Sequence, residues 1–211
     1  SIRGYKPTPV PKETLDQILE IAIRSPSALN TQPWKFTILG GKVLDELKET
    51  LQERFLAGVE IHPDFALSAP PSGIYRDRQV DLAKSLFQLL DIAREDKGKR
   101  TEWRLKMIRF FDAPNAIIIS ADKEVDDFSS IFSIGIISQT IALAAVEFGL
   151  GTCIELDSIL YPDVIKQITG IPESQKIAAG MAIGYPDWDF PANKLQSARE
   201  PLRNIATWCG I

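Results

Sequence analysis

The sequence predicts an α+β fold in which helices pack on a central sheet. Helical and strand-like patterns alternate irregularly along the chain, which does not match a regular βαβ series. The run from 116 to 119 is continuously apolar, as is typical of a strand buried on both faces. The pattern from Ser130 to Phe148 is apolar almost all round. Such a helix lies at a domain centre or in a subunit interface.

Two helices and a strand are predicted in the first quarter of the chain. Apolar residues at helical spacing indicate helices at 12–24 and 42–56, and a strand lies between them at 34–39. The apolar faces of these helices are formed by Leu15, Ile18, Leu19 and Ala22 in the first and by Val43, Leu47, Leu51 and Phe55 in the second.

The middle of the chain begins with a predicted loop at 57–78, where proline and glycine recur without a sustained period. Loops of this length are commonly functional covers. Helical patterns follow at 79–94 and 104–111, and the buried strand is expected at 115–120.

Beyond the apolar helix, strands are predicted at 152–156 and 177–183. The helix between them, 162–169, begins with a proline and is followed by Gly170, which is the usual asymmetry of helix ends. The final segment, 187–211, is poorly periodic apart from a strand-like run at 204–208. We expect this tail to need a second surface to pack on.

Bulk properties exclude several classes of function. The 211 residues suffice for one sizeable domain, and 45% hydrophobic with 25% charged residues is ordinary for a globular protein. A net charge of -4 argues against a nucleic-acid partner. No uninterrupted apolar run reaches the roughly 18 residues of a membrane span. The two cysteines indicate no disulfide framework, so we expect a cytoplasmic protein.

Metal and hydrolase chemistry lack the residues that they require. His62 is the one histidine of the sequence, and the cysteines at 153 and 209 are far apart without carboxylates at ligand spacing. We therefore expect no metal site. No strand-turn-helix nucleophile elbow accompanies His62, so we interpret it as a surface loop residue rather than a catalytic base.

The most informative stretch is 24–34, Arg-Ser-Pro-Ser-Ala-Leu-Asn-Thr-Gln-Pro-Trp, which connects the first helix to the first strand. Its two prolines fix the backbone. Serine, asparagine and glutamine side chains then offer hydrogen-bond donors and acceptors from a rigid platform. Such a segment suits a polar cofactor.

Other candidate positions remain open between two interpretations. The sequence Gly149-Leu150-Gly151 lies between a helix and a strand, the reverse of a dinucleotide loop, and indicates either a helix stop or a close backbone approach to a flat ligand. Glu155 either faces solvent or lines a cavity. Arg3 and Arg199 could hold a phosphate through bidentate bonds, although most arginines are simply solvated.

Taken together, these motifs resemble those of the FMN-dependent nitroreductase family. Residues 26–34 resemble its P-S-x-x-N-x-Q-P-W signature, and residues 1–3 resemble the end of its R-R-S-x-R opening. Further similar segments occur in the family's order at 135–139, 143–145, 149–153, 183–186 and 199–202. The tail 185–201 is similar to the branch that reduces nitroaromatic compounds.

The resemblance implies a nitroreductase-like fold, with a central, mainly antiparallel sheet flanked by helices in an intertwined homodimer. Residues 1–211 would form a single FMN-binding domain. Within it, 57–111 would be a helical and loop excursion over the substrate pocket, and 187–211 would pack on the partner subunit. The helix 130–148 would be a main dimer contact.

The resemblance also implies which residues bind tightly held FMN at the subunit interface. One subunit would contribute the N-terminal and C-terminal residues and the strand beside the flavin ring, namely Ser1, Arg3, Ile154, Glu155, Leu156 and Arg199. The other would contribute the helix-to-strand loop, namely Pro26, Ser27, Ala28, Asn30 and Gln32. Phe65, Tyr75 and Phe128 are candidates for the substrate pocket.

The implied activity is reduction of nitroaromatic compounds by NADH or NADPH, in two-electron ping-pong steps that yield nitroso and hydroxylamine products. The flavin would carry the hydride, so no catalytic side chain is assigned. Three alternatives remain: the same scaffold acting on quinones, enones or halogenated phenols; a non-catalytic flavin-binding protein; and an interaction domain without a cofactor.

Overall fold

The computed structural model describes residues 1–66, 69–125 and 127–210. Its four strands form one antiparallel sheet in the order β1-β2-β4-β3, which confirms the predicted fold class. The strands are β1 (Lys35–Gly40), β2 (Asn115–Asp122), β3 (Gly151–Glu155) and β4 (Gln175–Gly184). The α-helices of the described residues are α1 (Lys12–Ala22), α2 (Gly41–Leu56), α3 (Gly73–Leu89), α4 (Lys97–Ile108), α5 (Phe128–Glu147) and α6 (Pro162–Thr169).

Strand β2 lies in the middle of the fold and is buried along almost its whole length, as its apolar run predicts. Its side chains alternate between two hydrophobic clusters. Ala116 and Ile118 belong to the cluster shared with α2, α4 and α6, whereas Ile117 and Ile119 belong to the cluster shared with α1 and α5. The sheet is therefore covered by helices on both faces.

Helix α5 packs on the sheet through one face only. Ile134, Ile137 and Ile141 are buried, whereas Leu143 and Val146 are more than 60% exposed. Among the described helices, α5 is also the one long and apolar enough to cross a membrane by length and composition, a test that core helices pass as well. The predicted burial on every side is thus not reached within a single chain, and an apolar face is left uncovered.

The region after α2 corrects two expectations. Residues 73–78 are helical rather than loop. Gly73 adopts a left-handed φ of +54° as the first residue of α3, and the helix continues from it. The helix ends at Leu89 and not at 94, since Asp91 turns left-handed with φ +51° and the Ile92 amide bonds back to the Phe87 carbonyl.

Helix α4 begins earlier than its pattern suggests. The Asp96 carboxylate accepts a hydrogen bond from the Lys99 amide at 2.9 Å and caps the helix N-terminus. After Ile108, residues 110–112 adopt left-handed φ values of 53–57°, so the helix cannot extend to 111. Leu86 of α3 and Trp103 of α4 belong to the core, so part of the 57–111 excursion also supplies packing.

Two further details differ from the sequence-based expectation. Val43 is 44% exposed, and Leu44 takes its place on the buried face of α2. The tail forms no strand at 204–208; it makes a 3-10 turn at Leu202–Asn204 and continues without regular structure to 210. By contrast, α6 has the predicted limits, with Pro162 in its first turn and Gly170 at φ +76° closing it.

Candidate functional site

The N-terminal segment lies beside β3, an edge strand of the described sheet. The Ile2 amide donates to the Thr152 carbonyl at 2.9 Å. A Cβ on Gly151 would come within 2.4 Å of Ile2 Cγ1, so only glycine allows this approach. Gly149, with φ +69°, follows the end of α5. Gly149 is therefore the helix stop and Gly151 the site of close approach, and the group that approaches is the chain's own N-terminal segment.

The start of the tail holds the N-terminal segment in place. The Arg3 amide donates to Asn193 Oδ1 at 2.7 Å, and Asn193 Nδ2 donates to the carbonyls of Gly4 and Asp187 at 2.8 and 2.7 Å. On the other side, the Tyr5 hydroxyl donates to the Ile2 carbonyl at 2.9 Å. The backbone that carries Ser1 and Arg3 is thus fixed at both sides.

A cavity of about 540 Å³ opens between this segment, β3 and the last two turns of α5. That volume lies within the usual range of about 300–1,000 Å³ for small-molecule sites. Two of the predicted site residues, Ser1 and Ile154, line it. The remaining wall consists of Ile2, Gln139, Ala142, Leu143, Val146, Gly149, Leu150, Gly151, Thr152, Pro186 and Trp188. The cavity therefore combines apolar side chains with backbone groups of an edge strand.

The end of β3 presents its side chains alternately. Ile154 is 41% exposed and faces the cavity, whereas Glu155 turns inward and is 9% exposed. Neither carboxylate oxygen of Glu155 has a hydrogen-bond partner within the described structure, and the Ser158 hydroxyl is also buried without one. Burial, supported by the nearby Asp157 charge, raises the pKa of Glu155 well above its ordinary value. Glu155 is thus interior, not solvent-facing.

Other acidic groups around the same strand are also kept protonated. Burial raises the pKa of the Cys153 thiol to about 11 and that of the Tyr5 hydroxyl well above its usual value. The Arg3 guanidinium opposes each of these shifts electrostatically. Among the described residues, however, this guanidinium forms neither a hydrogen bond nor an ion pair. It remains a positive charge without a partner in the described part of the chain, in the same segment as Ser1 and Ile2, which line the cavity.

The helix-to-strand loop is rigid and strained. Leu29, Asn30 and Gln32 adopt left-handed φ values of 46–57° although none is glycine. The Ser27 hydroxyl accepts from the Gln32 amide at 3.0 Å, and the Ala28 amide donates to Ser133 Oγ of α5 at 3.3 Å. Backbone strain of this kind persists only where surrounding contacts enforce it, and it is concentrated at functional sites.

The predicted site residues fall into separate groups within one chain. Ser1, Arg3 and residues 154–156 lie together, but the loop residues do not line the cavity. Pro26, Ala28, Asn30 and Gln32 are exposed, in a loop that contacts α5 at Ser133, and Ser27 is half-buried. Arg199 is also exposed and bonds locally, to Ser197 Oγ at 2.7 Å. The next residue, Glu200, pairs with Arg78 of α3.

The three aromatic candidates for the substrate pocket have different surroundings. Phe65 is half-buried, with Lys176 Nζ 5.2 Å from its ring centroid. Tyr75 and Phe128 are 67% and 82% exposed, and Phe128 stacks on Phe132 with centroids 6.1 Å apart. Phe65 and Tyr75 each have a cation near the ring, since Arg78 Cζ lies 5.9 Å from the Tyr75 centroid, whereas Phe128 is the most exposed of the three.

Several contributors were not anticipated from the sequence. Asn193 lies in a stretch without a motif, so nothing in the sequence indicated its three hydrogen bonds to the N-terminal segment and the tail. Gln139 and Trp188 line the cavity; Gln139 is the only amide side chain within a long apolar helix, which is a usable signal.

Comparison with known proteins identifies the family to which this fold belongs. The model of the nitroreductase family matches residues 1–185, so the chain belongs to the nitroreductase family. Over 216 residues it is 29% identical to 4-nitrobenzoate reductase of Pseudomonas putida, covering 100% of this chain and 92% of that protein.

Two solved structures are closely similar. The FMN and NADPH-dependent nitroreductase NfnB of Sphigopyxis sp. strain HMH superimposes with a TM-score of 0.94 at 27% identity, covering 100% of this chain and 95% of the other. The FMN-dependent nitroreductase NfnB of Mycobacterium smegmatis, in complex with NADPH, gives 0.93 at 27% identity, covering 99% and 93%. The similarity extends through the tail as well as the sheet.

Proposed function

We propose that this protein is an FMN-dependent NAD(P)H oxidoreductase that reduces nitroaromatic compounds to nitroso and hydroxylamine products. The observation that carries this proposal is the cavity beside β3, lined by the N-terminal segment, in a chain whose whole fold matches FMN-dependent nitroreductases. The similarity to 4-nitrobenzoate reductase supports a nitroaromatic substrate.

The residues around the cavity fit FMN. One row of backbone groups of the edge strand β3 points away from β4. The Thr152 carbonyl points away from β4 and accepts the hydrogen bond from the Ile2 amide. The next residue of β3 whose backbone groups point away from β4 is Ile154. A flat heterocycle can hydrogen-bond to that backbone and lie against the Leu143 and Val146 side chains. Arg3 supplies an unpaired positive charge for an anionic group.

When bound, FMN supplies hydride transfer from NAD(P)H and electron delivery to the substrate. The chain's own residues position the reactants and stabilise charge. The backbone at 154–156 orients the ring, and Arg3 stabilises negative charge from a fixed position, because Asn193 holds its backbone. No side chain is assigned as an acid, since water can deliver the protons.

We also propose that the site is completed by a second copy of the chain in an intertwined homodimer. The uncovered face of α5, with Phe132, Leu143 and Val146 exposed, supports this arrangement. So does the exposure of the polar loop away from the lining of this chain's own cavity, which suits binding to a neighbour's cofactor. The tail 187–211 would pack on that neighbour, and 57–111 would cover the substrate.

Steady-state kinetics tests the activity. Initial rates with NADPH and 4-nitrobenzoate should give the parallel double-reciprocal lines of a ping-pong mechanism. A quinone and a halogenated phenol, assayed beside the nitroarene, report the alternative substrates. FMN that binds but is not reduced by NADPH or NADH would contradict the proposed activity and indicate a flavin-binding protein instead.

Subunit mixing tests the shared site. An Arg199→Ala chain and an Asn30→Ala chain should each bind FMN weakly as homodimers. In mixed dimers, one of the two sites receives both native residues, so tight binding should return at up to half of the sites. A mixture that binds no better than its separate components would contradict the shared site.

A cytoplasmic location is part of the proposal. Cys153 and Cys209 are both free, which suits a reducing compartment.

A further inference from the structure

The interior end of β3 contains an acidic side chain that the proposed activity does not use. Glu155 is 9% exposed, and both of its carboxylate oxygens are buried without a hydrogen-bond partner within the described structure. An ionised carboxylate in such a position would be strongly destabilising unless it were paired. Among the described residues, no cation lies within ion-pair distance of it.

Arg3 is the positively charged residue that acts electrostatically on Glu155. Burial and the Asp157 charge raise the pKa of Glu155, and the Arg3 guanidinium opposes that rise without forming an ion pair with the carboxylate. The other ionisable groups that act on this region are Tyr5, Cys153 and Asp157. Tyr5 and Cys153 are neutral at physiological pH, and Asp157 is paired with Arg104 at 3.1 Å.

We propose that Glu155 is a positioning residue that stays uncharged in the folded protein, so that the Arg3 guanidinium remains available for the negative charge of the cofactor. This inference rests on the proposed function. If Glu155 ionised, its charge would attract and partly neutralise Arg3, and an anionic ligand would lose its counter-charge. Neutral Glu155 leaves the positive charge of Arg3 undivided.

The consequence is linkage between cofactor affinity and the proton on Glu155. FMN favours the protonated form, so its affinity should fall as the pH rises far enough to ionise Glu155. Coupling between two sites of this kind is typically about 5- to 150-fold, and we expect roughly a tenfold total loss. By reciprocity, FMN binding should raise the pKa of Glu155 further.

The test is FMN affinity, measured by quenching of flavin fluorescence on the full chain from about pH 5 to about pH 9. Glu155→Gln keeps the shape and removes the ionisation. The wild-type affinity should fall with pH, whereas Glu155→Gln should retain the low-pH affinity throughout. Glu95→Gln, the same change at an exposed site, should behave as wild type. Riboflavin, which lacks the phosphate, distinguishes an effect on the ring from one on the phosphate.

Parallel declines of affinity for wild type and Glu155→Gln would overturn the inference, and so would a flat wild-type profile over a range in which infrared spectroscopy shows that Glu155 ionises. A wild-type chain that binds no FMN at any pH would instead contradict the proposed function. If Glu155→Gln fails to fold, infrared spectroscopy of the wild-type protein gives the answer. The carbonyl band of a protonated, unbonded carboxyl group should disappear in step with FMN affinity, and absence of that band would refute a neutral Glu155.

Discussion

The backbone amide of Arg3 donates a 2.7 Å hydrogen bond to the side-chain oxygen of Asn193, although 190 positions separate the two residues in sequence. Asn193 also bonds to the carbonyls of Gly4 and Asp187, so it joins the two ends of the domain beside the cavity. The backbone position from which the Arg3 side chain extends therefore depends on a residue of the tail.

Replacing Asn193 should loosen the N-terminal segment. Asn193→Ala removes one acceptor and two donors, and we expect FMN affinity to fall by roughly tenfold, equivalent to about 1.4 kcal/mol. Asn193→Asp retains an acceptor for Arg3 but sets a carboxylate oxygen against the carbonyls of Gly4 and Asp187, so its loss should be at least as large. Fluorescence titration measures both, after circular dichroism has established that the variants are folded. Wild-type affinity in a folded Asn193→Ala chain would show that the hydrogen bonds of Asn193 do not position Arg3.

Gly151 should tolerate no side chain while Ile2 is present. The added Cβ of Gly151→Ala would lie 2.4 Å from Ile2 Cγ1 and 3.0 Å from Pro186 Cγ. We expect the N-terminal segment to be displaced, with a loss of stability of about 1–3 kcal/mol and weaker FMN binding. Adding Ile2→Ala should recover part of both losses, which a double-mutant cycle measures.

Gly170→Ala, at the end of α6 and outside the cavity lining, is the matched control for that prediction. A Cβ there meets no atom within 4 Å, but the φ of +76° makes alanine strained by about 1–2 kcal/mol. It should lower stability and leave FMN affinity unchanged. If both alanine variants weakened FMN binding equally, the contact between Gly151 and Ile2 would not be the cause.

The pH dependence of stability should carry a contribution from Glu155. Because its pKa is raised in the folded state, the folded chain holds this proton at pH values where the unfolded chain has lost it. Stability is therefore greatest below the unfolded pKa of about 4.3 and falls as the pH rises towards the folded pKa, with a limiting slope of about 1.4 kcal/mol per pH unit.

Glu155→Gln removes this contribution, so its stability relative to wild type should increase from about pH 5 to about pH 8. Urea unfolding at several pH values measures the difference, with Glu95→Gln as the exposed control. The opposite trend, in which wild type gains on the variant as the pH rises, would mean that Glu155 is ionised and stabilised by a charge.

The segment before α3 is anchored by a buried ion pair. Lys166 Nζ lies 3.1 Å from Asp64 Oδ2, with the side chains 6% and 16% exposed, and Asp64 also accepts from the Ile177 amide at 2.8 Å. Asp64→Asn should cost about 3–5 kcal/mol, because it leaves the Lys166 charge buried. The other carboxylate paired with Lys166 is that of Glu173, which lies 3.6 Å from Lys166 Nζ and is mostly exposed.

The comparison for that variant is Asp81→Asn, which breaks an exposed pair with Lys84 at 3.8 Å and should cost less than about 1 kcal/mol. The midpoint of urea unfolding measures both variants. Equal small effects would show that Lys166 finds compensation elsewhere.

How far the sequence predicts the fold depends on how local the determining signal is. The limits of α6 follow from Pro162 and Gly170, and the burial of β2 follows from its apolar run. The start of α3 does not follow from the sequence. Gly73 opens the helix in a left-handed conformation, and by residue type alone it looks the same as a glycine that ends a loop. The uncovered face of α5 is as apolar in sequence as the buried face. An apolar pattern does not distinguish residues of a core from residues of a dimer contact.

The site follows the same rule. The loop at 26–34 is recognisable because its polar residues and prolines are contiguous. The inward orientation of Glu155 depends on the register of β3 against β4, where Glu155 pairs with Gly180, and the alternation of a short strand leaves both faces possible. The bond between Arg3 and Asn193 requires the chain ends to meet, which no local pattern specifies.

Titration of the purified protein with FMN tests the central claim most directly. The account predicts saturable quenching of flavin fluorescence at one FMN per chain, with weaker binding by Arg3→Ala and Arg199→Ala, and loss of the visible flavin bands when NADPH is added without oxygen. A folded protein that leaves flavin fluorescence unchanged at any concentration would contradict it.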